Sequence, residues 1–333
     1  MTCRVLIVTN RTDLHADIVA GKIVAHGGST FRLNLDDFPR DYSLALDFTG
    51  DGWVGEIVHV PTDDRLQLST IGSVWMRKPA DYAFPSEDLA LQEKQFACAE
   101  MDQFLIGLLH CLDCYWMSHP IAIRRANWKS EQLLRAARMG FRVPSSLIAN
   151  RREAVDAFRA ARGNDIVFKA LSSPSLAAEK VAPEDRIAHG LPTTHITNGH
   201  GELLDAVREF PCFFQEYIPK RHEVRVTVIG NQVFAARIHS QDDPHTAVDF
   251  RDFSAEIKYE AERLPQDIEA RCREFVQSYR LNYGAIDLIV TPDDEYVFLE
   301  NNPAGQFLFV EQLVPELAMC DALARELVQG TRG

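Results

Sequence analysis

The stretch AIDLIVTPDDEYVFLENNPAGQ, residues 285–306, carries the clearest structural signal of the chain. Two apolar runs flank the polar cluster TPDDE, a pattern typical of a β-hairpin. A two-residue tip at 293–294 would place Asp287 directly opposite Glu300, with Cβ atoms roughly 4.5–5.5 Å apart. Asn302 lies two residues beyond Glu300 and so on the same face. The hairpin therefore predicts two carboxylates and an amide together on one face of an antiparallel sheet.

These three side chains are candidate metal ligands. Two carboxylates that face each other repel, and burying them is costly unless a cation is present. Mg²⁺ prefers carboxylate and amide oxygens in combination with phosphate oxygens, which Asp287, Glu300 and Asn302 can offer. The alternative is a hairpin end whose acids are simply solvated.

Lys129 and Lys169 lie at positions where a positive charge is expected to have an anionic partner. Lys169 closes an apolar strand predicted at 166–170, and Lys129 lies near the start of a helix predicted at 127–139. A charge at the end of a buried strand is costly unless an anion meets it. The two lysines therefore indicate an anion site, with extension of both side chains into solvent as the alternative.

The segment FQEYIPKRHEVRVTVIG, residues 214–230, predicts a strand, a linker and a second strand. The linker backbone is placed to form hydrogen bonds with the edge of an adenine. Glu223 is placed to accept hydrogen bonds from ribose hydroxyls, and Arg225 shares its face of the strand. The alternative is an ordinary hairpin with surface charges.

Composition and charge limit the possible functions. A length of 333 residues is typical of about two domains. The formal net charge of −13 makes binding to bulk nucleic acid unfavourable, although a small nucleotide can still enter a local basic pocket. No apolar run approaches the roughly 18 residues of a membrane span. Seven cysteines, an odd number spread along the chain, indicate reduced thiols and a cytoplasmic protein.

The order of predicted elements indicates an α/β protein. The first ~40 residues predict a strand, a helix and a strand without the G-x-G-x-x-G turn of a dinucleotide site. Antiparallel strands are predicted at 43–60 and a long helix at 86–112, with a boundary near 118–120. From residue 213 onward the pattern is mainly strand, with helices predicted at 266–278 and 317–327.

Together, these features resemble the ATP-grasp carboxylate–amine ligases, from about Ile121 to the C-terminus. The resemblance rests on an ordered set: Lys129, Lys169, QEY at 215–217, Glu223, Arg225, Asp287, Glu300 and Asn302. It implies a pre-ATP-grasp α/β domain at 1–120 and an ATP-grasp fold behind it. That fold would consist of a central α+β subdomain at 121–210 and a C-terminal antiparallel-sheet subdomain at 211–333.

The same resemblance implies ATP and two Mg²⁺ ions as cofactors, and it gives each residue a role. Lys129 and Lys169 would contact phosphates and adenine; Glu216, Tyr217 and Ile218 would form the adenine hinge; Glu223 would bind ribose; Asp287, Glu300 and Asn302 would hold the metal. One departure stands out, because the segment SSPSLAAEK at 172–180 replaces the glycine-rich phosphate loop of many relatives.

A narrower resemblance covers nearly the whole chain. It rests on VLIVTN at 5–10, RLNLDDFP at 32–39, VWMRKP at 74–79, RVTVIGNQVFAARIHSQ at 225–241 and YVFLENNPAGQFLFVE at 296–311. These segments resemble the graspetide maturases, the microviridin-type ligases that cyclise ribosomal precursor peptides. The resemblance implies a homodimer and a precursor peptide, leader plus core, as partner. It also implies leader recognition by residues 176–201.

The implied reaction activates an Asp or Glu side chain as an acyl phosphate. A Ser or Thr hydroxyl then gives an ω-ester, or a Lys amine an ω-amide. Arg225 and Arg237 are predicted on adjacent strands, and paired N–H donors suit both a carboxylate and an acyl phosphate. For Arg237 the alternative is a surface ion pair. Two other functions stay open: addition of an amino acid to a peptide or protein terminus, and nucleotide-gated binding without catalysis.

Overall fold

The structure is a computed structural model that describes residues 4–172, 192–201, 203–251 and 255–331. An α/β region comes first and a mixed α and β region follows, as predicted. Most of the 172–180 loop and most of the predicted leader-binding segment at 176–201 lie outside the described residues. Within the described ranges, no helix has both the length and the apolar character to cross a membrane.

The first region is built on a parallel sheet. Its elements are β1 (Arg4–Thr9), α1 (Leu14–Ala25), β2 (Thr30–Asn34), β3 (Tyr42–Phe48), β4 (Trp53–His59), β5 (Asp64–Gln67), β6 (Ile71–Met76), α2 (Leu91–His110) and β7 (Tyr115–Trp116). The parallel sheet has the order β2-β1-β6-β7. Five consecutive residues of β1, 5–9, are buried, as expected for a strand covered on both faces. The antiparallel strands predicted at 43–60 are confirmed as β3 and β4, with β5 as a third partner.

The second region contains a small antiparallel sheet. Its elements are α3 (Pro120–Ala126), α4 (Lys129–Arg138), β8 (Ser146–Ala149), α5 (Arg152–Ala160), β9 (Ile166–Lys169), β10 (Thr194–Ile196) and β11 (Cys212–Glu216). The sheet order is β10-β9-β11-β8. Val155 and Phe158 of α5 pack with Phe214 of β11 in its core. This packing fixes the end of β9, and with it Lys169.

The third region is dominated by a five-stranded antiparallel sheet. Its elements are β12 (His222–Ile229), β13 (Gln232–Ile238), β14 (Tyr259–Ala261), α6 (Gln266–Ser278), β15 (Tyr283–Val290), β16 (Tyr296–Asn302), α7 (Leu308–Leu313) and α8 (Met319–Gly330). The sheet order is β14-β13-β12-β15-β16. One face packs Val224, Val226 and Val228 against α6. The residues that alternate with these valines along β12, including Glu223 and Arg225, point to the opposite face of the sheet.

The C-terminal helix connects the last region to the first. Leu323 and Leu327 of α8 share one buried cluster with Val19 and Ile23 of α1 and with Ile229 of β12. The end of the chain thus completes the core beside the N-terminal sheet. The domain boundaries at 120 and 210 stay predictions.

Candidate active site

The last hairpin brings Asp287 and Glu300 opposite each other, as predicted. The predicted tip, however, is wrong. The Thr291 amide donates to the Glu295 carbonyl at 3.0 Å, so the turn has three residues, 292–294. Asp294 adopts the left-handed conformation with φ 65°, which a three-residue hairpin turn requires at its last position.

A β-bulge corrects the register that this longer turn would otherwise shift. Leu288 pairs with Phe298, whereas the next residue, Asp287, pairs with Glu300. Leu299 is the extra residue, and it lines the same cleft as Glu300. A bulge places two residues opposite one and re-aims a side chain locally. The predicted pairing is confirmed because the longer turn and the bulge compensate each other.

Asp287 is buried and held by two side chains. Arg225, directly opposite it on β12, donates from Nη1 to Oδ1 at 2.7 Å. The Asn302 amide donates from Nδ2 to Oδ2 at 3.2 Å. Burial raises the pKa of the Asp287 carboxyl, and the charge of Arg225 offsets only part of this effect. Asp287, Arg225 and Asn302 therefore form one connected group on the site face.

The carboxylate of Glu300 lies close to the side chains of Lys129 and Arg251. Its Oε2 lies 3.0 Å from Lys129 Nζ, and its Oε1 lies 3.9 Å from an Arg251 nitrogen. Burial by itself would raise the pKa of Glu300, but the charges of Lys129, Lys169 and Arg251 lower it to about 2. Glu300 is accordingly ionised at neutral pH.

Basic side chains collect around this acid although the chain as a whole is acidic. Lys129 also donates to the Ala170 carbonyl at 2.8 Å, which ties α4 to the end of β9. Burial lowers the pKa of Lys169, and the charge of Glu300 opposes that shift. Arg251 is held by Asp249 through two hydrogen bonds of 2.8 and 2.7 Å. Such a local cluster suits a polyphosphate that brings its own negative charge.

The adenine hinge predicted at Glu216, Tyr217 and Ile218 lies on a cleft between the four-stranded sheet β10-β9-β11-β8 and the five-stranded sheet. The Glu216 and Tyr217 amides already donate to backbone carbonyls, at 2.9 and 3.1 Å. Among the described residues, the Ile218 amide has no such acceptor. The apolar side chains lining the cleft are those of Pro144, Val167, Ile218, Val248, Ile289 and Leu299. The cleft thus offers apolar walls and a free amide to a flat heterocycle.

Glu223 lies where the cleft meets the acidic pair, and it has a partner that the sequence did not reveal. Lys220 Nζ contacts Glu223 Oε1 at 2.6 Å and the Val248 carbonyl at 3.1 Å. Burial raises the pKa of Glu223, and the charge of Lys220 works against that shift. Lys220 and Arg251 are the two site cations that the sequence analysis missed. The only local signal was their position beside Glu223 and beside the acid Asp249.

The prediction that Arg237 joins Arg225 at the substrate is wrong in its geometry. Arg225 pairs with Ala236, whereas Arg237 pairs with Val224, whose side chain faces α6. Directly paired residues share a face of a sheet, so Arg237 points away from Asp287. It binds Glu262 at 2.6 Å and approaches Glu260 at 3.5 Å. The ion pair that was the alternative for Arg237 is what the structure contains.

The donor set at the end of the hairpin suits Mg²⁺. Asp287 and Glu300 supply two carboxylates, and Asn302 supplies an amide oxygen once its side chain rotates about its last bond. Arg225 and Lys129 neutralise these carboxylates in the structure, so both acids already sit among positive charges. Among the described residues there is no cluster of three or more His, Cys, Asp or Glu that would suit a closed metal site. Two carboxylates and one amide would leave coordination positions of Mg²⁺ for phosphate oxygens or water.

The fold is that of an ATP-grasp ligase, as comparison with known proteins shows. A sequence model of the MvdD pre-ATP grasp domain matches residues 4–124. A RiPP-associated ATP-grasp ligase of Chryseobacterium gregarium, solved with ADP and a leader and core peptide, is 30% identical over 98% of this chain and 97% of that chain, with a TM-score of 0.89. No curated protein sequence matches significantly.

Two macrocyclases from Microcystis aeruginosa MRC are also similar in structure. MdnC, solved with the precursor peptide MdnA, is 30% identical over 98% of this chain and 99% of that chain, with a TM-score of 0.84. MdnB is 27% identical over 98% of this chain and the whole of that chain, with a TM-score of 0.78. The chain belongs to the graspetide (microviridin-type) family of ATP-grasp ligases that mature ribosomal peptides.

Proposed function

We propose that this ligase macrocyclises a ribosomal precursor peptide at the expense of ATP. An Asp or Glu side chain of the core would be activated as an acyl phosphate and joined to a Ser or Thr hydroxyl, as an ω-ester, or to a Lys amine, as an ω-amide. The observation that carries the proposal is the Asp287–Glu300 pair, buried beside Lys129 and Arg251. The similarity to the macrocyclase MdnC favours cyclisation over other ligations.

The nucleotide would bind along the continuous cleft. Its adenine would lie against Ile218 and Leu299 and accept a hydrogen bond from the Ile218 amide, with Tyr217 at the rim of the cleft. Glu223 would accept from the ribose hydroxyls, and Glu216 would complete the hinge. Lys129, Lys169 and Arg251 would contact the phosphates, because Glu300 holds these cations at the inner end of the cleft.

Asp287, Glu300 and Asn302 would hold two Mg²⁺ ions, which when bound would offset charge on the phosphoryl oxygens. The residues of the chain would orient the substrates and exclude water. A peptide carboxylate oxygen would bond to the γ-phosphorus as the bond to the β-phosphate oxygen breaks, releasing ADP. The hydroxyl or amine would then attack the acyl carbon, losing its proton as inorganic phosphate leaves.

Arg225 would bind the acyl phosphate. It is only 6% exposed, its Nη1 binds Asp287, and its Nε is buried without a partner among the described residues. A fixed, desolvated guanidinium stabilises charge that develops on oxygen more strongly than a solvated one. Water would compete with the peptide nucleophile, so holding both reacting groups close together is part of the task.

The test is mass spectrometry of a candidate precursor incubated with the protein, ATP and Mg²⁺. We expect the loss of one water per ring, with one ADP released each time. A mass increase equal to an added residue would indicate terminal ligation instead. Nucleotide binding without ADP release or a change in peptide mass would indicate a non-catalytic binding protein.

Homodimerisation, a cytoplasmic location and leader binding by residues 176–201 are further proposals. Six cysteines within the described ranges are free thiols, in keeping with a reducing compartment. Light scattering of the purified protein tests the dimer, and fractionation of the producing cells tests the location. Crosslinking of a photoreactive leader peptide to residues 176–201 tests the recognition segment.

A further inference from the structure

Arg77 lies outside the proposed nucleotide cleft. It follows β6 at the carboxyl edge of the parallel sheet, where its amide donates to the Val8 carbonyl of β1 at 2.9 Å. The connections from β1 and β6 run in opposite directions here, because the order is β2-β1-β6-β7. Open α/β sheets bind ligands in the crevice at such a switch point.

The Arg77 guanidinium is buried but only partly satisfied. The residue is 8% exposed, and its Nη1 donates to the Ala304 carbonyl at 3.1 Å. Its Nε and Nη2 are buried and have no hydrogen-bond partner among the described residues. These two nitrogens form the edge of a guanidinium that binds a carboxylate with two parallel hydrogen bonds. A buried cation that keeps this edge free is set up for an anion.

Asp13, an acid whose pKa is lowered in part by the charge of Arg77, does not occupy the Nε–Nη2 edge of that guanidinium. Asp13 attracts Arg77, yet no ion pair within 4.0 Å joins them in the described ranges. Its Oδ2 accepts from the Thr9 hydroxyl at 2.6 Å, and its Oδ1 accepts from the His15 amide at 3.2 Å. Asp13 therefore offsets part of the positive charge of Arg77 without completing its hydrogen bonds.

The crevice lies directly behind the active-site loop. Arg77 holds this loop, residues 303–307, through Ala304, and Arg225 holds it from the other side through a 3.1 Å hydrogen bond from Nη2 to the Gln306 carbonyl. The Tyr283 hydroxyl donates to the Gly305 carbonyl at 2.7 Å. The walls around Arg77 are mainly apolar and include Trp75, Met117, Ile123, Pro303 and Phe307. The space between these walls is about 10 Å³, room for one water-sized group, so it can accommodate at most a single carboxylate group and no polyphosphate.

We propose that Arg77 binds a side-chain carboxylate of the peptide substrate in this crevice. The inference rests on the proposed peptide ligation. Because the loop 303–307 separates Arg77 from Asp287 and Arg225, the bound carboxylate is a second acid of the peptide, distinct from the one being activated. Arg77 is thus a specificity-determining residue that the N-terminal region contributes, selecting peptides with neighbouring acidic residues.

The test compares two small probes, N-acetylglutamate N-methylamide and N-acetylglutamine N-methylamide, on the full chain saturated with Mg²⁺ and ADP. Calorimetry gives the affinities, and the NMR signal of the Arg77 Nε–H, assigned with Arg77→Lys, reports the site. We expect the acid to bind roughly tenfold to a hundredfold more tightly than the amide and to shift that signal. Arg77→Met lowers the preference to what the carboxylate site at Arg225 alone provides, Arg77→Lys restores part of the difference, and Lys78→Met, a change at the exposed neighbour, leaves the preference intact.

Equal affinities of the two probes for the wild-type protein overturn the proposal, and so does an unchanged preference in Arg77→Met. If Arg77→Met does not fold, the wild-type NMR spectrum still decides the question, because an acid bound only at Arg225 would leave the Arg77 Nε–H signal unchanged. Calorimetry of ADP on the same samples separates the two levels of inference. Absence of ADP binding would contradict the ligase function, whereas the probe comparison, repeated without nucleotide, would still judge Arg77.

Discussion

The two faces of the five-stranded sheet carry opposite kinds of side chain on the same strands. Along β12, Val224, Val226 and Val228 pack against α6, while Glu223 and Arg225 face the cleft. The apolar face gains stability by burying hydrocarbon. The other face buries charges, which is tolerated only because each has a partner. One strand thus serves both stability and chemistry because neighbouring residues point in opposite directions.

Arg225 and Arg237 show what this division means for a single residue type. They lie on neighbouring strands, but on opposite faces. The side chain of Arg225 is 7% exposed and pairs with buried Asp287, whereas that of Arg237 is 34% exposed and pairs with Glu262. Removing one partner of a fully buried pair costs about 3–5 kcal/mol. The Arg237–Glu262 pair, in which only the arginine is partly exposed, lies between that value and the about 0–1 kcal/mol of a fully exposed pair. The face, more than the strand, determines what an arginine does here.

The largest effect is expected from the acidic end of the site face. Glu300→Gln combined with Asn302→Ala should lower Mg²⁺-dependent ADP release at least about a thousandfold, or ~4 kcal/mol in activation free energy, because phosphoryl charge is no longer offset. Removing Mg²⁺ from the wild-type protein with a chelator should have a similar effect. Glu295→Gln, at the exposed tip of the same hairpin, is the matched control and should retain activity. Full turnover in the double variant would refute the metal site.

A smaller but still large loss is expected at Arg225. Arg225→Ala should reduce ring formation, followed by mass spectrometry, by roughly a hundredfold to a thousandfold while ADP still binds in calorimetry. The change leaves Asp287 without its cation, so Arg225→Lys accompanies it to separate loss of charge from loss of geometry. Ring formation at the wild-type rate in Arg225→Ala would remove this arginine from the mechanism.

The smallest effect is expected on the α6 face. Arg237→Ala should leave ring formation within roughly twofold of the wild-type rate, whereas the free energy of unfolding should fall by about 1–3 kcal/mol, because the buried Glu262 carboxylate loses its cation. Rates with saturating ATP and urea unfolding curves measure the two quantities. A loss of ring formation comparable to that in Arg225→Ala would contradict the proposal that only the cleft face of the sheet takes part in the reaction.

Much of the site was predictable because the pairing of a hairpin is a local property. Asp287 and Glu300 are close in sequence, so a turn between two apolar runs suffices to bring them together. The face of Arg237 was equally accessible, because Ile229 pairs with Gln232 around the two-residue turn at 230–231. That turn, with Gly230 at φ 57°, already places Arg237 opposite Val224.

Other features depend on contacts between distant segments. Lys220 meets the Val248 carbonyl, and Arg251 meets Glu300, only after the segment 239–251 folds over the cleft. The bulge at Leu299 could not be inferred from a hydrophobic pattern, since an extra residue in one strand interrupts the alternation. The crevice at Arg77 exists because the loop 303–307 packs on the N-terminal sheet.

The sequence by itself determined the class of fold and the acidic hairpin, because alternating polarity and short turns act over neighbouring residues. Tertiary structure decided which further cations surround Glu300 and how the loop 303–307 packs against Arg77. The physical reason is that a side chain's partners across a sheet or between domains are set by the register and packing of segments far apart in the chain.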